Sequence, residues 1–338
     1  MKRTLHITLI FCIAIAVIAG CRKPNNSRTT DINTGPISTG GQPPTFPGGT
    51  QPSLNQLFKE LRYTPEVKCV TAGILQVVTF SKGTSLTFYP NSFKNAAGTT
   101  ITSGTVCIEM IEMYKPGDMI ANGATTTATN GGLLRSGGQV HINATMDGQK
   151  VYVNKYGITF KQPTASTESM YLYYGNTDNK DSVVTWTLGD TTGSGVTATG
   201  TMVDTSTAYH QYVFDSCTDF SWINCDRFYY DPAPKTTIKI IMPNAHHNGT
   251  TSRVYFVFPS INSATQAGMY YSSTNTFELG GSYAVPTGIM FHLIVMTKIA
   301  DDYYYYELKD QTVTMDMTIN ADMSLHSLSY VQGKLTEL

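Results

Sequence analysis

The feature that most constrains the fold of this chain is a series of short segments in which apolar and polar residues alternate. Residues 106–110 and 140–144 are two clear examples. Side chains of a β-strand point alternately to opposite faces of a sheet, so a period of two predicts strands. Turn sequences such as Asn95-Ala96-Ala97-Gly98 and Asp147-Gly148 separate the segments, and no strand–helix–strand rhythm appears. The sequence therefore predicts an all-β protein of antiparallel, sandwich-like sheets.

One short helix is predicted ahead of the strands, at residues 53–65. Ser53 and Gln56 have the spacing of a capping box, and Pro65 would end the helix. The apolar residues that follow the cap recur on one helix face: Leu54, Leu57, Phe58 and Leu61.

The strand pattern is interrupted once, at Pro163 and the Thr/Ser stretch that follows it. We therefore expect two β domains, a sandwich module at 66–163 and a larger, more aromatic domain at 168–338. Predicted strands of the second domain include 236–242, 253–259, 288–300, 302–309 and 312–319.

The N-terminus has the organisation of a bacterial lipoprotein signal. Lys2 and Arg3 precede an apolar run at 9–19, which leads into Ile18-Ala19-Gly20-Cys21. The run is shorter than the roughly 20 residues that span a bilayer. We expect removal of residues 1–20, lipidation of Cys21 and anchoring of the chain to a membrane outside the cytoplasm.

Residues 21–52 are predicted to be a disordered tether, because they combine several prolines with Gly, Thr and Asn and offer little apolar surface. Arg22 follows the lipidated cysteine, where an Asp would favour retention in the inner membrane. The outer membrane is therefore the expected location, and the periplasmic and external faces both remain open.

The composition argues against several classes of function. Charged residues make up 14% of the chain, against about 25% in typical domains, and the net charge is −1. Such a chain lacks the basic field of a nucleic-acid-binding protein. No catalytic motif, metal-ligand spacing or phosphate-binding loop occurs, so the sequence indicates no cofactor and favours a non-enzymatic role.

Four cysteines remain after signal removal and lipidation, namely Cys69, Cys107, Cys217 and Cys225. An even number suits disulfides in an oxidising compartment, and four cysteines allow three pairings. Cys217 and Cys225 are close enough in sequence to close one loop, which makes them a candidate pair. Four buried free thiols are the alternative.

The first predicted domain resembles the β-sandwich module of ankyrins and netrin receptors, in the version found in uncharacterised bacterial surface lipoproteins. The resemblance rests on residues 84–93, which include Pro90 and Phe93, on a strand ending in Glu109, and on Ser136-Gly137-Gly138. In eukaryotic relatives the module binds partner proteins. The resemblance implies a sandwich fold and an interaction role.

Residues 219–230 form the densest group of aromatic and polar side chains. One interpretation is a ligand-binding surface, in which Trp222 or Tyr230 stacks on a sugar ring and Asn224 and Asp226 accept hydroxyls. The structural alternative, which we favour, places Trp222 in the core and bonds Cys225 to Cys217.

Three hypotheses for function follow. The first is a lipid-anchored cell-envelope protein that has a binding or structural role towards a glycan or protein ligand. The second is a pilin-like or adhesin subunit that assembles by strand exchange. The third is an envelope hydrolase with an unrecognised site near Trp222 and Asp226.

Overall fold

The computed structural model describes residues 54–162, 169–177, 184–189, 201–203 and 210–338. The predicted signal peptide, the lipidation site Cys21, the tether and the cap residue Ser53 lie outside the described residues, as does the predicted domain boundary at 163–168. Within the described residues strands predominate, which confirms the all-β prediction.

The described residues contain three α-helices, namely α1 (Leu54–Leu61), α2 (Pro116–Ala121) and α3 (Leu328–Thr336). The helix α1 confirms the helix predicted from the apolar spacing, and its four periodic side chains are all buried. The other two were not predicted. Pro116 occupies the first turn of α2, where its missing N–H is not needed. The side chain of Ser327 caps α3 by accepting from Tyr330 N.

The strands of the described residues are β1 (Glu66–Thr71), β2 (Gln76–Thr79), β3 (Ser85–Phe88), β4 (Phe93–Lys94), β5 (Thr105–Met113), β6 (Ala124–Ala128), β7 (Leu134–Met146), β8 (Gln149–Lys150), β9 (Tyr152–Val153), β10 (Tyr156–Gln162), β11 (Tyr171–Thr177), β12 (Val184–Leu188), β13 (Thr201–Val203), β14 (His210–Cys217), β15 (Ser221–Phe228), β16 (Lys235–Thr236), β17 (Ile238–Ile241), β18 (Ser252–Phe258), β19 (Ser263–Gln266), β20 (Met269–Tyr271), β21 (Thr276–Leu279), β22 (Val285–Pro286), β23 (Met290–Ile299), β24 (Asp302–Thr312), β25 (Thr318–Asn320) and β26 (Ser324–His326).

The first sandwich consists of an eight-stranded and a five-stranded sheet. The larger sheet has the order β1-β5-β7-β15-β11-β12-β6, with β8 beside β7, and the smaller has the order β13-β14-β10-β3-β2. Alternate residues of the two sheets, among them Ile108, Ile142 and Ile223 from one and Phe88 and Phe160 from the other, meet in one buried core. This is the burial that the period of two predicts.

The second sandwich is built from a four-stranded and a five-stranded sheet, ordered β20-β21-β17-β25 and β19-β18-β23-β24-β26. Its core lies between Ile238, Ile240 and Phe277 on one side and Phe256 and Leu293 on the other. The opposite face of the five-stranded sheet is also buried, because α1 and α3 cover it.

The predicted limit of the first domain at residue 163 requires correction. The strands β11, β12 and β15 follow that limit, yet they belong to the same sheet as β5 and β7. Likewise, β14 follows the limit and pairs with β10. The first sandwich therefore extends to Phe228, and the second begins at β16.

A group of hydroxyl side chains joins the two sandwiches. Thr126 of β6 accepts a hydrogen bond from Ala264 N of β19 at 2.9 Å and contacts the hydroxyl of Ser263. One residue further along, the hydroxyls of Thr127 and Thr265 lie 2.8 Å apart. All five residues are buried, so these polar groups satisfy one another across the junction.

The cysteine pairing differs from the prediction. Cys69 and Cys107 lie directly opposite each other on β1 and β5 and form a disulfide. Cys217, which ends β14 in one sheet, and Cys225, which lies within β15 in the other, are both buried free thiols.

Replacing Thr126 with valine keeps the shape of the side chain and removes the hydroxyl. We expect the change to lower the free energy of unfolding by about 1–3 kcal/mol, because it leaves the buried Ala264 N–H without an acceptor. Urea unfolding measures the effect. Thr318→Val, at an exposed strand position, is the matched control, and an equal loss in both variants would contradict the role given to Thr126.

Candidate functional site

The strand β15 positions three of the four predicted ligand-binding residues, but it does not expose them. Trp222, Asn224 and Asp226 alternate along β15 and share the face of the sheet that is turned away from the first core. Trp222 is 9% exposed, and Asn224 and Asp226 are completely buried. Tyr230 lies beyond the end of the strand and is 86% exposed. The structure therefore does not bring the four side chains together into one surface.

A bulge in β7 creates the environment of Asp226. The cross-strand partner of Asn224 is Gln139, whereas the partner of Asp226 is Ser136, so β7 contains one extra residue between these pairs. Gly137 and Gly138 occupy the bulge. Gly138 has φ +118°, and a Cβ at Gly137 would lie 2.8 Å from the carbonyl oxygen of Cys225. Steric and backbone restrictions at Gly137 and Gly138 thus explain the two glycines of the Ser-Gly-Gly motif.

The carboxyl group of Asp226 is held by short-range polar contacts. Asn224 Nδ2 donates to Asp226 Oδ2 at 2.7 Å. Complete burial raises the pKa of Asp226 to about 8, although the neighbouring Ser136 hydroxyl, Asn224 and the Gly137 N–H all act to lower it. A fully buried carboxyl cannot contact a surface ligand, which removes Asp226 as the acceptor of a sugar hydroxyl and as a hydrolytic residue.

Tyr230 instead contributes to a cleft at the junction of the two sandwiches, which we name the junction cleft. It has a volume of about 330 Å³. The residues that line it are Asn130, Gly131, Gly132, Leu133, Phe228, Tyr229, Tyr230, Asp231, Lys235, Ser282, Ala284 and Pro286. Three consecutive aromatic residues thus lie beside polar groups from both sandwiches.

Two glycines let the turn between β6 and β7 fit into the junction cleft. A Cβ at Gly132 would lie 2.8 Å from the ring of Phe228. Gly131 has φ +86°, and a Cβ there would lie 2.7 Å from the carbonyl oxygen of Ser282. The turn therefore touches the first sandwich on one side and the second on the other.

Some polar groups of the junction cleft form hydrogen bonds with each other within its wall. Asp231 accepts from Ala233 N at 2.9 Å and from the Tyr229 hydroxyl at 2.8 Å. These hydrogen bonds lower the pKa of Asp231, so the group is ionised at neutral pH. Lys235 supplies one positive charge. The two formal charges cancel, and the lining combines three aromatic rings with polar groups.

A second cleft, of about 240 Å³, lies at the other end of β15 and is named the edge cleft. His141, Asn143, Lys150, Tyr152, Asp219 and Ser221 supply its polar and aromatic lining. The ring of His141 lies 4.5 Å from that of Trp222. Burial and the charge of Arg62 lower the pKa of His141 to about 4, so its imidazole is neutral at pH 7.

Of the four ligand-binding residues predicted from the sequence, only Tyr230 lines the junction cleft. Most of the other lining residues were not predicted. Lys235, Ser282 and Pro286 come from segments that become neighbours only through folding. The one local signal was Asn130-Gly131-Gly132, a glycine pair within a turn.

Comparisons with known proteins do not identify a family for this chain. No protein-family model matches the chain, and no curated protein is recognisably similar to it. In the described part of the chain, no group of three or more His, Cys, Asp or Glu side chains is arranged to hold a metal ion. The helices of that part are too short or too polar to cross a membrane.

His141 is expected to make stability fall as the solution is acidified from pH 6.5 to 4. The unfolded chain takes up a proton near pH 6.5, whereas the folded chain does so only near pH 4. The difference corresponds to about 3 kcal/mol. His141→Gln should therefore show a smaller loss of unfolding free energy over this range. Urea unfolding at several pH values measures it, and the exposed His246→Gln is the control. Parallel pH profiles for wild type and His141→Gln would contradict the assignment.

Proposed function

We propose that this chain is a lipid-anchored, non-enzymatic protein of the outer membrane that binds a glycan in the junction cleft. The proposal rests mainly on one observation, the exposed aromatic wall formed by Phe228 and Tyr230 beside polar groups from both sandwiches. Its volume of about 330 Å³ lies within the range of about 300–1,000 Å³ that is typical of small-ligand pockets.

The chemistry of the cleft favours a sugar over a charged ligand. An aromatic ring packs against the apolar face of a pyranose, while neighbouring polar side chains hydrogen-bond the sugar hydroxyls. Tyr230 and Phe228, which are 86% and 43% exposed, supply the rings. Asn130, Ser282 and Lys235 supply polar atoms at the rim. The charges of Asp231 and Lys235 balance, so the lining carries no net formal charge that would select a charged ligand.

The location of the protein outside the cytoplasm is supported by two independent features. The signal-like sequence that ends at Cys21 predicts export and lipidation. The disulfide between Cys69 and Cys107 is a type of bond that persists in oxidising compartments. Cytoplasmic thiol reductants would act against this bond, so it supports a location in the cell envelope.

The pilin-like hypothesis ranks second. β1 and β2 are outer strands of the two sheets, and Val67 and Val77 on them are 56% and 65% exposed. Outer strands can pair with another strand, although Thr71 N of β1 already donates to Gln76 Oε1 of β2. However, Glu66 and Lys68 on β1 form an ion pair at 3.1 Å, and charges on an edge strand oppose such pairing. The hydrolase hypothesis is left without its named residue, because Asp226 is inaccessible.

Glycan binding is expected to depend on the side chain of Tyr230. A glycan array identifies the ligand, and calorimetry with the strongest oligosaccharide gives its affinity. Tyr230→Ala should weaken the affinity about tenfold, because it removes one stacking platform worth roughly 1.4 kcal/mol. Phe228→Ala should also weaken it.

The matched control is Tyr271→Ala, which removes a tyrosine of the second sandwich that is 43% exposed and lies outside the cleft. It should bind with wild-type affinity. Equal glycan affinity of the Tyr230 and Tyr271 variants would show that the ligand does not bind in the junction cleft. If the folded protein gave no signal on the glycan array but bound a protein partner, the ligand would be a protein and not a glycan.

The mature N-terminus is expected to be an acylated Cys21. Intact-mass and peptide mass spectrometry of the native protein should show loss of residues 1–20 and added lipid mass on the first residue. Cys21→Ala should shift the protein from the membrane to the soluble fraction. Recovery of an unmodified chain that begins at Met1 would refute the anchor without affecting the glycan test.

A further inference from the structure

A group of buried polar side chains lies beneath the surface between the two clefts, and we name it the buried polar cluster: Gln139, Tyr173, Asn224 and Asp226. Gln139, Asn224 and Asp226 are 0% exposed, and Tyr173 is 1% exposed. Several of their atoms have no hydrogen-bond partner among the described residues, namely Gln139 Nε2 and Oε1, Tyr173 Oη, Asn224 Oδ1 and Asp226 Oδ1. Buried polar groups without partners are rare in native proteins, because each costs about 1–3 kcal/mol.

The four side chains are neighbours through strand register. Gln139 on β7 and Tyr173 on β11 are both direct cross-strand partners of Asn224 on β15, so the three form one row across the sheet. Side chains at such positions start only about 4.5–5.5 Å apart. Asp226 is attached to this row by the hydrogen bond from Asn224. Burial and the nearby Asp226 also raise the pKa of Tyr173.

The donor set is suited to a hard cation. Gln139, Asn224 and Asp226 each present one unpartnered carbonyl or carboxylate oxygen, and Tyr173 adds a phenolic oxygen. Oxygen ligands are those that alkali and alkaline-earth ions prefer. The cluster contains a single carboxyl group, so one positive charge balances it when it is ionised, whereas a divalent ion would leave an excess.

The packing around these atoms leaves no room for a water molecule. The unpartnered atoms offer almost no surface that a water-sized sphere can reach, and a water molecule needs a void of about one such sphere. A dehydrated ion such as Na⁺ is smaller than water. Ca²⁺ has nearly the same radius as Na⁺ and binds oxygen atoms at about 2.3–2.6 Å. These distances are shorter than those of hydrogen bonds to water.

We propose that Gln139, Asn224, Asp226 and Tyr173 form a binding site for a single Na⁺ ion within the first sandwich. The ion neutralises the Asp226 carboxylate and satisfies oxygen atoms contributed by three adjacent strands. It thereby holds β7, β11 and β15 together beneath the junction cleft. This role is independent of glycan binding.

Thermal unfolding of the full-length chain in NaCl, KCl or choline chloride at one ionic strength tests the proposal. The Tm in NaCl should exceed that in choline chloride by about 3 °C once Na⁺ reaches ten times its Kd, and the effect should saturate. K⁺, which is larger, should stabilise less.

Two variants assign the effect to the cluster. Asp226→Asn should remove the difference between Na⁺ and choline, and Tyr173→Phe should raise the Na⁺ concentration needed for half of the effect several-fold. Tyr255→Phe is the matched control, because Tyr255 also has a buried, unpartnered hydroxyl but lies in the second sandwich. Equal Tm values of the wild type in all three salts would overturn the site. Equal effects of Tyr173→Phe and Tyr255→Phe would do the same.

Discussion

The pairing of β7 with β15 is the constraint on which the rest of the structure depends. These two strands lie in the middle of the eight-stranded sheet, and β15 is buried on both faces at residues 222–226. One face contributes Ile223 and Cys225 to the first core. The opposite face carries Trp222 and the buried polar cluster. Both clefts lie at the ends of this strand pair, so its register determines the position of every candidate site.

Hydroxyl groups connect the first sandwich to the second, beside apolar contacts such as those of Ile120 and Ala121 with Tyr255 and Ala264. The threonines at 125–127 of β6 are buried, and two of them bond to β19. Asn262 strengthens the same junction by donating to the carbonyl oxygens of Ser136 and Tyr114 at 3.2 and 3.0 Å. Because such bonds are directional, they fix the angle between the sandwiches more narrowly than apolar packing does. A cleft whose walls come from both sandwiches needs this rigidity to remain preformed.

Local patterns predicted the elements of this fold, while non-local pairing determined what they build. The helix predicted at 53–65 and the strands predicted at 253–259 and 288–300 follow from periodicity. The structure confirms the two strands within two residues at each end, whereas the helix ends four residues earlier than predicted, at Leu61. The domain limit at 163 failed because periodicity does not show which strands pair. The strand predicted at 312–319 is mostly absent, since β24 continues to Thr312 and only Thr318–Asn320 forms β25. The helix α3 was not predicted because its serine and its glycine are poor helix formers, and burial of Val331 and Leu335 stabilises it instead. In the candidate site, the chemistry of Asn224 and Asp226 was visible, but their burial was not, since it results from the second sandwich and from a bulge on another strand.

That bulge also explains how a buried cluster and a surface cleft come to share one strand. Along β7, Val140 and Ile142 face the first core, and an uninterrupted strand would turn Leu134 and Ser136 the same way. The extra residue at Gly137–Gly138 reverses this direction, so Leu134 lies instead with the aromatic group that includes Tyr173 and Trp186. Phe228 is the partner of Leu134, and its ring meets that of Tyr173 edge-on at 6.1 Å. Without the two glycines, β7 and β15 could not keep both the polar contacts of Asp226 and the placement of Phe228 in the cleft wall. The Ser-Gly-Gly sequence is thus a geometric requirement of the surface that we propose as the binding site.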